Sequence, residues 1–284
     1  MLGRNGVVGV AGAGVVGSAV AQWFRRQSRR VVVYDPPRGF DDPAALGEAD
    51  VVFVCVPTPY GERGYDPTQL EAAVAAIPPG PVIVIKSTVL PGTTERLQER
   101  YPERPFLFNP EFLRERTAEE DFLRPDRQIV GYTSRSRPLA PALLASLPEA
   151  PYARTMPATE AELVKYMTNA FLALKVVFAN QFYSLCERLG ADYDLVREGA
   201  AADPRIGPSH LDVFDGGERG YGGKCLPKDM KSLIDFAATL GVPLRLLRVA
   251  DALNDQLRAP ETSGRDRERA AAEPSDGVAA RRAA

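Results

Sequence analysis

Histidine is nearly missing from this chain: His210 is the single one in 284 residues. That excludes any multi-histidine metal centre and argues against a histidine-based catalytic triad. His210 falls in a stretch without periodicity and reads as a loop residue; no metal site is expected. Cysteine is almost as scarce. Cys55, Cys186 and Cys225 are far apart and odd in number, so they do not make a disulfide framework. Charge of one sign is lacking too, with 35 basic against 37 acidic side chains and a formal net charge of −2. Nothing there draws the chain to nucleic acid. No apolar run reaches membrane-spanning length, and the N-terminus opens into a strand pattern rather than a signal peptide. The expectation is a cytoplasmic protein without nucleic-acid or membrane partners. Apolar residues still make up 45% of the chain, enough for a full core in one or two domains.

The N-terminal half alternates strand and helix patterns. Val7 to Ala11 reads as a buried strand, followed by Gly12-Ala13-Gly14-Val15-Val16-Gly17. A helix then presents Val15, Ala19, Val20, Trp23 and Phe24, and a second strand runs from Val31 to Asp35. Strand, G-x-G-x-x-G, helix, strand and terminal acid come in the order that dinucleotide binding requires. The first glycines allow a tight turn against the pyrophosphate, which the helix N-terminus stabilises. Asp35 accepts hydrogen bonds from the ribose and repels a 2′-phosphate, which favours NAD over NADP. Arg38, three residues on, pulls the other way.

Further strands are expected over Asp50 to Val56, Val82 to Lys86, Phe106 to Phe108 and Gln128 to Tyr132. Asp66 and Pro67 start a helix carrying Leu70, Ala73, Val74 and Ile77. Repeated strand–helix units with short turns predict an α/β fold, a doubly wound Rossmann-type parallel sheet. Ligands bind such sheets beyond the carboxyl ends of the strands. Thr58, Ser87, Thr88 and Glu111 all follow strands and share that rim.

Around Met156 the pattern turns all-helical. Thr159-Glu160-Ala161-Glu162 has the form of a capping box, and a periodic segment runs to Leu189 with Gly190 as its stop. Lys165 and Asn169, four apart on an otherwise apolar helix, share a face and are expected to line a binding site. Apolar positions surround much of this helix, including Leu163, Met167, Phe171, Leu174, Val177, Phe178 and Leu185, so a homodimer built on it is expected. Cys55 and Cys186 read as core fillers. The domains expected are an NAD-binding domain over 1–155, a helical domain built on the long central helix over 156–258, and a disordered tail over 259–284.

Cys225 stands apart from the other two. Gly220-Tyr221-Gly222-Gly223-Lys224-Cys225-Leu226-Pro227-Lys228-Asp229 sets it between a glycine run and a helix start, with Pro227 in the first turn. Met230, Leu233, Ile234, Ala237 and Leu240 then fall at helical spacing, and Gly241 offers a stop. A sulfur at a helix N-terminus flanked by Lys224 and Lys228 is favoured as the nucleophilic thiolate. Gly222 and Gly223 leave room for backbone to approach a ligand.

GYGGKCLPKD, VCVPTP, KSTVLPGTT, NPEFLRE and ELVKYMTNAFLALKVVFAN together resemble the UDP-glucose/GDP-mannose dehydrogenase family over roughly residues 6 to 257. The resemblance implies that a nucleotide-sugar alcohol is oxidised twice by NAD, to the aldehyde and then the acid. It implies Cys225 as the nucleophile, forming a thiohemiacetal and then a thioester. Lys165 and Asn169 would stabilise the oxyanion, Asp229 and Thr88 would position water, and Glu111 would act as general acid/base. Gly12, Gly14, Val15, Val16, Gly17, Asp35, Thr58, Ser87 and Thr88 are the expected cofactor contacts. Glu115, Arg205, Tyr221, Gly222 and Lys228 are the expected substrate contacts, Arg205 reaching across a dimer interface.

Family members carry a third, C-terminal domain that grips the nucleotide, whereas the resemblance here stops near Leu257. The segment from Asp35 to Asp50 is short where members usually have a helical insertion, and Arg116 stands where a glycine is common. The expectation is therefore weak UDP-sugar affinity, or a smaller preferred substrate such as a sugar phosphate or nucleoside. Two other readings stay open: a two-electron hydroxyacid-type dehydrogenase, and a non-catalytic NAD-binding partner protein.

Overall fold

The computed structural model describes residues 6–114, 117–215 and 217–259. Two compact units emerge, Met1–Met167 and Thr168–Ala284. The first is built on a seven-stranded sheet. Its strands are β1 (Val7–Ala11), β2 (Arg30–Tyr34), β3 (Val51–Val54), β6 (Val82–Ile85), β7 (Phe106–Phe108), β8 (Arg127–Tyr132) and β9 (Tyr152–Pro157). They lie in the order β2-β1-β3-β6-β7-β8-β9. A small hairpin of β4 (Tyr60–Gly61) and β5 (Gly64–Tyr65) follows β3. The helices are α1 (Val15–Arg26), α2 (Thr68–Ala76), α3 (Thr93–Arg100), α4 (Ala118–Leu123) and α5 (Ala140–Leu144).

Alternation along the strands divides the core between the two sheet faces. Val52, Val54, Ile83, Ile85, Phe106 and Phe108 face Leu70 and Val74 of α2 and Leu97 of α3. Val51, Phe53, Val84 and Leu107 face Val20 and Phe24 of α1 and Leu143 of α5. The Phe24 and Phe53 rings pack 5.5 Å apart, both fully buried, and burying each is worth about 1.5–3 kcal/mol. This is the doubly wound, Rossmann-type arrangement expected from the sequence, with one correction. β8 runs antiparallel to β7, while β9 runs parallel to β8. A continuous apolar run carries no direction, so the pattern could not show the reversal. β9 itself was not expected: its side chains are exposed except for the partly covered Thr155 and Met156, which erases the apolar signature of a strand.

α6 (Ala158–Leu189) begins directly after β9, and its 32 residues span about 48 Å. Because the helix already starts at Ala158, Thr159 lies inside it and is not its cap; Glu162 bonds elsewhere, as described below. In the unit Thr168–Ala284, α6 is followed by α7 (Tyr193–Ala201), a hairpin of β10 (Phe214–Asp215) and β11 (Glu218–Arg219), α8 (Leu226–Thr239) and α9 (Arg245–Leu257). The hairpin is a small exception to the all-helical expectation. The core here joins Ala173 and Val177 of α6 to Met230 of α8 and Ala250 of α9. Leu240, expected on the buried face of α8, is instead its C-cap and is exposed. Among the described residues no helix is long and apolar enough to cross a membrane. The expected tail lies outside the described residues beyond Ala259.

Candidate active site

In the first unit the register brings the strand ends to one edge. Ala11 is level with Tyr34 and with Val54, Val54 with Ile85, and Ile85 with Phe108. Everything that follows these residues therefore shares one rim. At its centre is the Gly12–Gly17 turn. Gly12 has φ +93°, and a Cβ there would come within 2.7 Å of the Cys55 carbonyl oxygen. A Cβ on Gly17 would lie 1.8 Å from the Gly12 carbonyl oxygen, so neither position tolerates a side chain. Gly14 caps α1 without a side-chain hydrogen bond, and no acid stands in the first turn. A Cβ on Gly14 would meet nothing within 4 Å. The turn thus offers open helix N–H groups and the positive end of a dipole, which fits a pyrophosphate.

Val15, an expected cofactor contact, is half exposed at that same end; Val16, the other, is partly covered. Asp35 follows β2, and its carboxylate accepts the Ala13 N–H at 2.7 Å, tying the acid to the glycine turn. Arg38 approaches the same carboxylate at 3.6 Å. Thr58 and Ser87 have their hydroxyls committed to backbone. Thr58 Oγ1 donates to the Thr88 carbonyl at 2.7 Å, and Ser87 Oγ donates to the Val56 carbonyl at 2.7 Å. These bonds lock the loop after β3 to the loop after β6. Cys55, next to them, is a half-buried residue whose thiol burial pushes up to about 12, with Lys86 opposing.

Glu111 follows β7 and accepts Lys165 Nζ at 2.9 Å, both side chains nearly buried. Burial alone would push the Glu111 pKa up. The Lys165 ammonium, the Leu113 N–H and the more distant Lys86 outweigh it and hold the carboxyl below its ordinary value. Lys86 was not singled out from the sequence. It is buried, donates to Asn109 Oδ1 at 2.8 Å, and burial pulls its pKa down to about 8. Asn109 in turn donates to the Ile129 carbonyl at 2.8 Å, fixing the turn that carries Glu111. A lysine ending an apolar strand just before Ser-Thr was the available signal.

Glu162 was read only as a capping residue of its own helix. It is fully buried and caps α3 instead: Oε2 accepts Gly92 N–H at 2.5 Å, and Oε1 accepts Thr94 N–H at 2.9 Å and the Thr94 hydroxyl at 2.6 Å. Burial raises its pKa to about 7 against the pull of those bonds. Glu115 and Arg116 lie outside the described residues.

In the second unit Cys225 is the N-cap of α8, solvent-exposed, with Pro227 in the first turn. No disulfide engages any of the three cysteines, and Cys186 is buried as expected. Asp229, one turn into α8 and 1% exposed, accepts Asn169 Nδ2 at 2.6 Å and Lys228 Nζ at 2.5 Å. The structure thus joins Asn169 and the half-buried Lys228 on the buried Asp229 carboxylate, in the opening turns of the helix that Cys225 caps. Tyr221 is buried, with its phenol donating to Asp251 at 2.8 Å. Arg205 is exposed and paired to Asp203 at 2.5 Å. His210 lies in a turn with φ +63°.

Residues 40–146 match the model of the NAD binding domain of the UDP-glucose/GDP-mannose dehydrogenase family, and residues 159–256 match that of its central domain. The chain belongs to that family. NAD is the cofactor its N-terminal unit takes. The UDP-glucose 6-dehydrogenase of Pseudomonas aeruginosa is 39% identical over 230 residues, which are 74% of this chain and 49% of that protein. A UDP-glucose 6-dehydrogenase of Bacillus subtilis is 35% identical over 233 residues, 77% of this chain and 49% of that protein. The chain thus spans about half the length of the curated relatives it matches. Among solved structures, a UDP-glucose dehydrogenase from Pyrobaculum islandicum superposes with a TM-score of 0.78 at 32% identity, covering 89% of this chain and 68% of that one.

Proposed function

We propose that this member of the family oxidises the primary alcohol of a nucleotide sugar of the UDP-glucose type, or of a smaller relative, to the carboxylate. The observation that carries the reading is Cys225 as the exposed N-cap of α8, on the same helix as the Asp229 carboxylate that binds Asn169 and Lys228. A simple two-electron dehydrogenase has no use for such a thiol. Bound NAD supplies the hydride acceptor, one molecule for each of the two oxidations.

The protein groups do the rest. The alcohol loses a proton and a hydride to give the aldehyde, and the Cys225 sulfur adds to its carbonyl carbon. Lys165 and Asn169, as N–H donors, stabilise the oxyanion of that thiohemiacetal. Loss of a second hydride leaves a thioester on Cys225, so the aldehyde is never released. A water held by Asp229 and Thr88 then attacks the thioester carbon, with Glu111 taking its proton, and the thiol departs. Glu111 is ionised for this role because Lys165 and Lys86 hold its pKa down. Arg205, Tyr221, Gly222, Lys228 and Glu115 are assigned to the substrate. NAD binding belongs to 1–155 and the nucleophile to 156–258.

A homodimer through α6 is part of the proposal. Phe171, Phe178, Leu185 and Leu189 are each more than half exposed, and Phe182 is 42% exposed. Their spacing of three, four and seven residues makes one apolar stripe, which marks an interface.

The test is a substrate panel of UDP-sugars, sugar phosphates and nucleosides incubated with the full chain and NAD. Two NADH per acid formed are expected. One NADH with release of a carbonyl product would overturn the thioester route, and no turnover across the panel would overturn the assignment.

A further inference from the structure

The Cys225 loop is held by α9, through residues of α9 that no role assigned so far involves. Asn254, 2% exposed, spends both ends of its amide on one residue. Its Oδ1 accepts the Tyr221 N–H at 2.7 Å, and its Nδ2 donates to the Tyr221 carbonyl at 3.0 Å. The two bonds close a ring of the kind a neighbouring strand would make, so the peptides on both sides of Tyr221 lose their freedom to rotate. Three residues earlier on α9, Asp251 receives the Tyr221 phenol, and Lys231 of α8 donates to the same carboxylate at 2.8 Å. Four residues later, Arg258 pairs with Glu218 at 2.5 Å and lies over Gly222. Positions 251, 254 and 258 share one face of the helix.

The glycines of the loop report the same contact. A Cβ on Gly220 would come within 2.6 Å of Asn254 Oδ1, and one on Gly222 within 2.6 Å of the Arg258 guanidinium. Gly220 also has φ +76°. At Gly220 the positive φ and Asn254 together favour glycine, whereas at Gly222 the neighbour is the movable end of Arg258.

We propose that Asn254 is a positioning residue: by gripping the Tyr221 peptide from both sides it fixes the path of the next four residues and aims the Cys225 sulfur. The inference rests on the reading of Cys225 as nucleophile. Nothing in it requires Asn254 to touch substrate or cofactor.

The full chain and its Asn254→Ala and Asn254→Asp variants are compared by three readouts. These are hydrogen exchange in the peptide covering residues 218–225, alkylation of Cys225 by iodoacetamide followed by peptide mass, and steady-state kinetics. Asn254→Ala is expected to exchange at least tenfold faster at Tyr221 and to change the Cys225 alkylation rate at least fivefold. Its kcat should fall at least tenfold, with Kd for NAD within twofold of the parent. Asn254→Asp, which keeps the acceptor for the Tyr221 N–H, should fall between the two. If Asn254→Ala does not fold, Asn254→Asp decides with a threefold threshold on each readout. Unchanged exchange and alkylation overturn the grip, and a loosened loop with unchanged kcat overturns its positioning role. Should the parent turn over nothing in the substrate panel, the exchange and alkylation arms still decide the grip separately from the proposed reaction.

Discussion

Replacing Glu162 with glutamine should remove a pH dependence from the stability of the first unit. The carboxylate is fully buried, and its three bonds go to Gly92 and Thr94 at the start of α3. Its pKa rises from 4.5 to about 7, because burial outweighs those bonds. The folded state therefore binds the proton more tightly than the unfolded state. The associated stability is fully present below pH 4.5 and is lost as pH climbs towards 7. A shift of about 2.5 units corresponds to about 3 kcal/mol, as an order of magnitude. Glutamine does not titrate, but its NH2 replaces one acceptor at Gly92. That adds a loss of about 1–3 kcal/mol, the penalty of leaving a buried N–H unsatisfied. Parent minus variant stability should thus shrink by up to about 3 kcal/mol between pH 4.5 and 8. Urea unfolding followed by tryptophan fluorescence reads this unit alone, since Trp23 of α1 is the single tryptophan. Parallel stability curves, with a constant difference across that range, would refute the reasoning.

Cys225→Ser should abolish acid formation while leaving the NAD Kd within about twofold; acid formation at the parent rate by the serine variant would remove Cys225 from the reaction. Asp35→Ala should weaken NAD binding by about 10–100-fold, the worth of one charge-assisted hydrogen bond, and narrow the preference over NADP. Calorimetric titration with both cofactors checks this, and tighter NADP binding by the parent would show that Arg38 governs the site. Lys86→Met removes a cation that helps keep Glu111 ionised, so the acidic limb of the pH–kcat profile should move to higher pH. An unmoved limb would confine Lys86 to bracing the Asn109 turn. Phe178→Glu places a charge in the exposed stripe of α6 and should turn a dimer into a monomer by light scattering; a monomeric parent would refute the dimer outright.

Much of the dinucleotide fold was legible because its signals are local. Val7–Ala11, the glycine turn and α1 are contiguous, and the spacing of their glycines shows in the sequence even though Gly12 is required by the distant Cys55 carbonyl after β3 as well as Gly17 by the nearby Gly12 carbonyl. Strand direction was not legible. β7 and β8 are equally apolar whichever way they run, and their antiparallel pairing depends on where the chain between them returns. β9 escaped because it lies at the sheet edge, where its exposed side chains carry no alternation.

The same division runs through the candidate site. Lys165 and Asn169 stood out in the sequence as polar residues at helical spacing on an apolar helix, and Glu162 as the acid of a capping box. What they bind did not. Glu162 reaches Gly92 and Thr94 across about 70 residues of chain, Lys165 reaches Glu111 across 54, and Asn169 reaches Asp229 across 60. The capping-box reading of Glu162 failed for this reason: the spacing of Thr159 and Glu162 describes a local bond, and a closer-fitting partner elsewhere took the carboxylate. Asn254 was harder still, since an asparagine in the middle of an amphipathic helix has no signature until its partner is known. In Cys225 the situation reverses. Its position at a helix start, after glycines and before proline, is wholly local, so the sequence alone singled out the proposed nucleophile, while its surroundings, Asn169 on Asp229 and Asn254 on Tyr221, became visible only in three dimensions.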